Sequence, residues 1–322
     1  MIIGCTSGTV LRCMLEDLKY TSVSLSHTKE ITCIAFGEKS PTIFATGSSY
    51  GDIKIWDITD YACLTTIKDT KSGSVTSLVM TPDGSIISGW SKGLIRCYDG
   101  TLNRQLWFIP EAHRGGTTTL ALYSDPNNKL SFLASGGIDG TVRIWRLGNR
   151  ELITQYTEHT KPVCKILVDT NKPNILHSVG ADGTVLSYDL KTVRRIICHI
   201  VNGGSMLDMT QRRDSETELI TSDAIGRLTH WDIDVREPVM LIHDPTRLAI
   251  RKCSISPTGR FLAFGGDDTV LKVLDVTTGQ VLSLGQGHSS SIKALSWTPD
   301  ERQIVTGGDD CCLVIWNFYL GG

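Results

Sequence analysis

Three residue types recur along this chain in a combination that a hydrolase would use: histidine, a hydroxyl residue and aspartate. His113, Ser135 and Asp139 make one set, His159, Ser178 and Asp182 a second, and His288, Thr306 and Asp310 a third. A carboxylate that orients an imidazole, with the imidazole taking a proton from a hydroxyl, turns an alcohol into a nucleophile. Two features point away from that chemistry. A nucleophile site belongs once in a domain, whereas this set repeats, and no Gly-x-Ser-x-Gly elbow is present. Each hydroxyl is also followed by an aromatic residue in the same register, Trp145, Tyr188 or Trp316. A chain from indole N–H through hydroxyl and imidazole to carboxylate gives every buried polar group a partner. The sets therefore read as structural hydrogen-bond networks, with no catalytic residue among them. Elsewhere the pattern is incomplete: Tyr188 replaces tryptophan in the second set, Tyr50 stands where Asp139 does, and Leu274 replaces the aromatic in another repeat. Those repeats are expected to rely more on packing.

Other chemistry has little support. There is no P-loop, dinucleotide glycine motif, His-Glu-x-x-His pair or calcium loop. Gly136-Gly137-Ile138-Asp139-Gly140 and Gly265-Gly266-Asp267-Asp268 precede strands rather than helices, so they read as turns and no cofactor is expected. The 10 cysteines lack Cys-x-x-Cys spacing, and several sit in apolar strand patterns, as Cys33 does. They read as small buried hydrophobes in a reducing compartment. Cys311-Cys312 falls where other repeats place a turn residue and the first strand residue, so no metal site is expected. With a formal charge of −2 and no basic stripe, nucleic-acid binding is not expected. The densest basic pairs, Arg194-Arg195 and Arg212-Arg213, read as solvated loop charge or contacts to an acidic partner. No run of about 18 apolar residues suggests a membrane span, and the opening segment turns polar too quickly for a signal peptide.

The elements that must hold these residues follow from a period. A strand ending in Trp56, Tyr98, Trp145, Tyr188, Trp231, Leu274 or Trp316 recurs at intervals of 42, 47, 43, 43, 43 and 42 residues. Repeats of about 40–45 residues, with Gly-His near the start and Trp-Asp near the end, mark four-stranded antiparallel blades around an axis. The prediction is an all-β, seven-bladed propeller spanning 1–322 as one domain. Within the second full repeat, Ser74–Met80 alternates as an inner strand, Pro82-Asp83-Gly84 turns, and Ser85–Ser88 is the second strand. Leu94–Tyr98 is the third and Gln105–Ile109 the outer fourth. The other repeats begin near His27, His113, His159, Asn202, His243 and His288, and the widest interval is absorbed by the polar turn 124–129.

Too little chain follows Trp316 for an outer strand. Residues 19–25 are expected to supply it, which would leave 1–14 as surplus strands of a preceding repeat, with full repeats from about residue 27. One departure from the period reads as surface chemistry. Where the third repeat has Ser135-Gly136-Gly137-Ile138-Asp139-Gly140, the second has Ser88-Gly89-Trp90-Ser91-Lys92-Gly93. That places an aromatic and a cation in a rim loop, with Arg114 beginning the next blade on the same face. Trp90, Lys92 and Arg114 are the candidate partner contacts; the competing reading folds Trp90 back over the neighbouring blade.

From Trp56-Asp57 and Trp231-Asp232 to Asp139-Gly140-Thr141-Val142-Arg143-Ile144-Trp145, the chain resembles the WD-repeat family. Ser85–Trp90, Gly93–Arg96, Ala112–Thr118, Phe264–Asp268 and Gly285–His288 resemble the second of two tandem propellers in the cilia- and flagella-associated WD-repeat proteins of doublet microtubules. A related centriolar WD-repeat protein fits almost as well. The resemblance implies a non-enzymatic scaffold of the axoneme, basal body or centriole, with tubulin and other axonemal or centriolar proteins as partners. The alternative is a general adaptor of a soluble complex in ubiquitin ligation or trafficking, which the fold allows equally.

Overall fold

The computed structural model describes residues 2–4, 9–13, 20–25, 27–37, 42–124, 131–201, 203–212, 215 and 217–319, without the side chains of 2–25 and of Ser124. Seven blades form a closed ring. Their inner strands are Ile31–Phe36, Val75–Met80, Thr117–Ser124, Val163–Val168, Met206–Gln211, Ile250–Ile255 and Ile292–Trp297, and the last packs against the first. Six blades have four antiparallel strands, with outer strands Ala62–Lys68, Gln105–Ile109, Leu152–Tyr156, Arg194–Ile200, Met240–His243 and Val281–Gln286. The turn at 125–130 and the repeat start at Asn202 lie outside the described residues.

The last blade has three strands among the described residues, ending with Leu313–Asn317. Tyr20–Leu25 does not complete it. That segment pairs with Thr9–Cys13, which in turn pairs with Ile2–Gly4 in a separate three-stranded sheet. Only residues 14–19 intervene between the two paired segments, so local pairing closes a far shorter loop than pairing across the ring. His243, expected near a repeat start, instead ends the outer strand of the fifth blade.

Each blade is built by the same local devices. Every inner strand carries a bulge after its first residue, as between Ile31 and Cys33 or Val75 and Ser77, which increases local twist. The turn from second to third strand needs a left-handed residue, supplied by Gly51, Gly93, Gly140, Gly183 and Gly226, then by Thr269 and Cys311. Cys311 is thus a turn residue, as its position in the repeat predicts. The aspartate closing most third strands caps the next turn: Asp57, Asp99, Asp189, Asp232 and Asp275 each accept a backbone N–H two residues on, at 2.8 to 2.9 Å.

Stability resides between blades, where the faces of neighbouring sheets interdigitate. The clusters combine adjacent blades, as Ile53, Ile55 and Ile67 with Leu78, Met80 and Trp90 show. Hydroxyls stitch the first four inner strands together: Thr32 Oγ1 donates to Val75 O at 2.5 Å, Thr76 to Thr117 O at 2.6 Å and Thr118 to Val163 O at 2.5 Å.

Candidate functional site

The recurring polar sets assemble as networks. In the third blade His113 Nε2 lies 2.7 Å from Ser135 Oγ and Nδ1 3.1 Å from Asp139 Oδ1, while Trp145 Nε1 donates to Ser135 Oγ at 2.8 Å. The seventh repeats this with His288, Thr306, Asp310 and Trp316, at 2.7, 2.9 and 2.8 Å. In the fourth, His159 sits 2.8 Å from Ser178 and 3.2 Å from Asp182, with Tyr188 in the indole's place. The donors set the direction: the hydroxyl donates to Nε2, and the Nδ1 proton goes to the carboxylate. This is the polarity of a hydrolase triad, yet the hydroxyl of Ser135, Ser178 or Thr306 is wholly buried, and Ser135 and Thr306 each accept an indole N–H. No solvent-facing nucleophile results.

Burial pulls the His113 and His159 pKa values down against the opposing pull of Asp139 and Asp182, so both rings are neutral acceptors at neutral pH. Burial disfavours the charged Asp139 carboxyl, but donors led by Thr141 outweigh it and hold its pKa low; Thr184 leads the same balance at Asp182. Gly137 and Gly180 make room for the rings, since a Cβ there would meet the histidine Nδ1 at 2.3 and 2.4 Å.

The first blade is complete despite Tyr50. Asp52, two residues further on, takes the carboxylate position 2.9 Å from His27 Nδ1, with Thr46 2.7 Å from Nε2 and Trp56 donating to Thr46 at 2.8 Å. The fifth blade, which lacks the histidine, and the sixth, expected to depend on packing, both have polar replacements of their own. In the fifth, Arg227 Nε donates to Asp223 at 2.5 Å beside the Trp231–Thr221 bond. In the sixth, buried Lys272 bridges Asp244 at 2.6 Å and Asp268, while Leu274 is fully buried in the apolar core.

The second blade overturns the rim-contact reading of Trp90. The second strand runs Ile86–Trp90, two residues longer than the turn residues suggest, and carries Trp90 into the core with no exposed surface. No histidine precedes this blade's inner strand, and Trp90 Nε1 donates to Ser88 Oγ at 2.8 Å, as histidine Nε2 pairs with the hydroxyl elsewhere. The indole replaces the imidazole. Arg96 lies 5.9 Å over its ring and pairs with Asp69. Lys92 and Arg114 are exposed; Lys92 Nζ donates to Lys71 O at 2.6 Å and the Arg114 backbone N–H to Asp139 at 3.0 Å. Of the basic pairs, Arg195 meets Glu158 at 2.5 Å and Arg212 meets Glu218 at 3.0 Å.

Two features escaped the sequence reading. The central channel, a cavity of about 240 Å³, is neutral and hydroxyl-lined along the first three blades but charged along the next three. There buried Asp208 faces Lys165 at 4.0 Å and Lys252 at 3.6 Å, and accepts the Cys253 N–H at 3.2 Å. These ion pairs join the blades where threonine straps stop. Burial pushes the channel thiols Cys33 and Cys164 up to about 11 and Cys253 further, so they stay protonated. Among the described residues no cluster of three or more His, Cys, Asp or Glu suits a metal, and no helix is long and apolar enough to cross a membrane. The second feature is an apolar cleft of about 500 Å³ between the first two blades. Its sequence signal is Gly100, where every other repeat has an apolar residue.

The family model described as WD domain, G-beta repeat matches residues 19–57, 61–99, 104–146 and 279–317. The chain is similar to Cilia- and flagella-associated protein 52 of Sus scrofa, 26% identical over 98% of this chain and 50% of that protein. It is similar to the protein of the same name from Chlamydomonas reinhardtii, 27% identical over 98% and 50%. It also resembles Echinoderm microtubule-associated protein-like 1 of Mus musculus, 22% identical over 89% and 34%. The chain spans about half the length of the cilia- and flagella-associated relatives.

Proposed function

We propose, from a chain built of WD40 repeats into a seven-bladed propeller, that it is a non-enzymatic protein-interaction scaffold of the ciliary or flagellar cytoskeleton. The observation that carries this reading is likeness along 98% of the chain to proteins named for association with cilia and flagella, one of them algal. The name of a further relative refers to microtubules, which supports tubulin or another axonemal protein as a partner. A disc with two faces and a circumference can meet several partners at once, and interface energy concentrates in a few anchors. The exposed Lys92 and Arg114 are candidate contacts, whereas Trp90 is withdrawn because it is buried.

The non-enzymatic part of the proposal is supported by the triad-like sets. They recur in blade after blade with their hydroxyls buried, as scaffold elements do and a reaction centre does not. The ciliary part is tested by tagging the endogenous protein in ciliated cells. Enrichment along the axoneme or at the basal body is expected, together with co-sedimentation of the purified protein with microtubules. A diffuse cytoplasmic signal would count against the ciliary reading and return weight to an adaptor of soluble complexes.

A further inference from the structure

Two residues past the recurring aromatic or leucine of each third strand, six blades place an apolar side chain: Ile58, Leu147, Leu190, Ile233, Val276 and Phe318. Each of these backbone N–H groups is tied to the residue preceding or opening the second strand of its own blade, as Ile58 N–H is to Thr42 O and Phe318 N–H to Arg302 O, so the six positions are equivalent. Each side chain seals the seam with the preceding blade. Phe318 packs edge-on against Phe261 and Trp297, Val276 is 1% exposed in the cluster that holds Ile220 and Leu262, and Leu147 lies with Ile87 and Cys97.

The second blade has Gly100 there, and at that seam the apolar cleft opens. Ile55 and Met80, buried members of the core, line it with the partly exposed Ile43 and the exposed Leu64. The glycine is enforced, because a Cβ on it would stand 2.4 Å from Gly84 O in the facing turn. The missing plug therefore cannot be restored from this chain at that position without moving the turn. An apolar cavity of about 150 Å³ accommodates a benzene ring, so about 500 Å³ admits a large side chain with adjoining backbone. Among the described residues one lining residue is charged, the exposed Asp83 in the turn at the lip, whose carboxylate also accepts from Thr81 and Ser85.

We propose that the cleft between the first and second blades is a docking site for a partner protein segment presenting a large apolar side chain beside a basic residue. The apolar side chain takes the place that Leu147 or Phe318 fills at other seams, and the basic neighbour meets the Asp83 carboxylate. The proposal rests on the scaffold reading and adds to it the surface used and the chemistry of the partner. Its test does not depend on cilia, so the two can fail separately.

The probes are the capped dipeptides Ac-Arg-Phe-NH2, Ac-Glu-Phe-NH2 and Ac-Arg-Ala-NH2, titrated into the full chain labelled at its methionine methyl groups. The signal of Met80 is read by NMR and assigned through Met80→Leu. Ac-Arg-Phe-NH2 should move it saturably, about 2- to 5-fold more tightly than Ac-Glu-Phe-NH2 at low salt, a difference typical of one exposed charge pair. Ac-Arg-Ala-NH2 should leave it in place. Leu64→Trp, which closes the mouth from an exposed position, should abolish the movement without lowering Tm. Asp83→Asn should erase the Arg-over-Glu preference. The proposal is overturned if the Met80 signal does not move, if the alanine peptide moves it equally, if the two charged peptides bind alike to the unmodified chain, or if Leu64→Trp leaves the response intact in a folded protein.

Discussion

The second and third blades are neighbours with the same strand plan, and they solve the same packing problem with different residues. In the third, His113 reaches Ser135 and Asp139, Trp145 closes the chain of donors, and Leu147 seals the seam. In the second, Trp90 takes the histidine's place against Ser88, Tyr98 stands for the tryptophan, and Gly100 leaves the seam unsealed. The lesson is an asymmetry. The slot beside the Ser88 hydroxyl is refilled when its histidine is absent, because an unpaired buried hydroxyl or indole N–H costs about 1–3 kcal/mol, although the tyrosines that replace tryptophan, Tyr98 and Tyr188, leave their own hydroxyls without a partner among the described residues. A missing apolar plug at the rim costs less and can persist as a cleft.

The equivalence of Trp90 and the network residues gives the largest expected effect. Trp90→Ala and Trp145→Ala should each destabilise by about 3–5 kcal/mol, the usual loss for emptying a large core site. Both losses would be read from urea unfolding monitored by circular dichroism. A Trp90→Ala protein as stable as the unmodified chain would show that the indole is not part of the core and would break the comparison.

The hydroxyls should separate the two blades. Ser135→Ala removes the partner of both Trp145 Nε1 and His113 Nε2, whereas Ser88→Ala orphans the Trp90 N–H and gives up only a longer, 3.2 Å donation to the Arg96 carbonyl. At about 1–3 kcal/mol for each buried group left unpaired, Ser135→Ala should cost roughly twice as much as Ser88→Ala. Equal losses in the same unfolding assay would mean that His113 finds another partner.

How much of this was legible in sequence depends on where each partner lies. The networks in the third, fourth and seventh blades are readable because their members keep one register and meet within a single blade. Asp52 is not, since its carboxylate reaches back from two residues beyond the expected position. The Lys272 bridge is hidden because Asp244 lies at the end of the preceding blade, 28 residues away. Trp90 misleads because its place ends the second strand in the other blades too, where a small residue such as Ser48, Gly137, Gly180 or Gly308 leaves room for the histidine ring, and only the missing histidine makes that room available to an indole. Gly100 is visible only by comparing the position after Trp-Asp across all repeats, since a glycine near a turn is otherwise unremarkable.

A smaller effect follows from titration. His113 and His159 are held below the unfolded value of about 6.5, so between that value and the folded one the unfolded chain binds more protons. Their contribution is fully present above about pH 6.5 and is lost as pH falls through that window. The indole of Trp90 does not titrate. Amide hydrogen exchange corrected for intrinsic pH dependence should therefore show protection of the third and fourth blades declining from pH 7 to pH 5, while Val75–Met80 and Ile86–Trp90 change less. Uniform decline over all three blades would remove this distinction.

The smallest stability effect should come from the two cations that remain candidates for contact. Lys92 donates to a backbone carbonyl on an exposed loop, and the hydrogen bond at Arg114 uses its main-chain N–H, which substitution leaves intact. Lys92→Ala with Arg114→Ala should stay within about 0.5 kcal/mol per site, as exposed changes away from special features do. Co-sedimentation with microtubules, if these side chains meet an acidic surface, should weaken and lose its salt dependence in the double variant. Unchanged binding across salt concentrations would assign the contact elsewhere, whereas a loss of stability near that of Trp90→Ala would show that the loop they occupy belongs to the packed part of the blade.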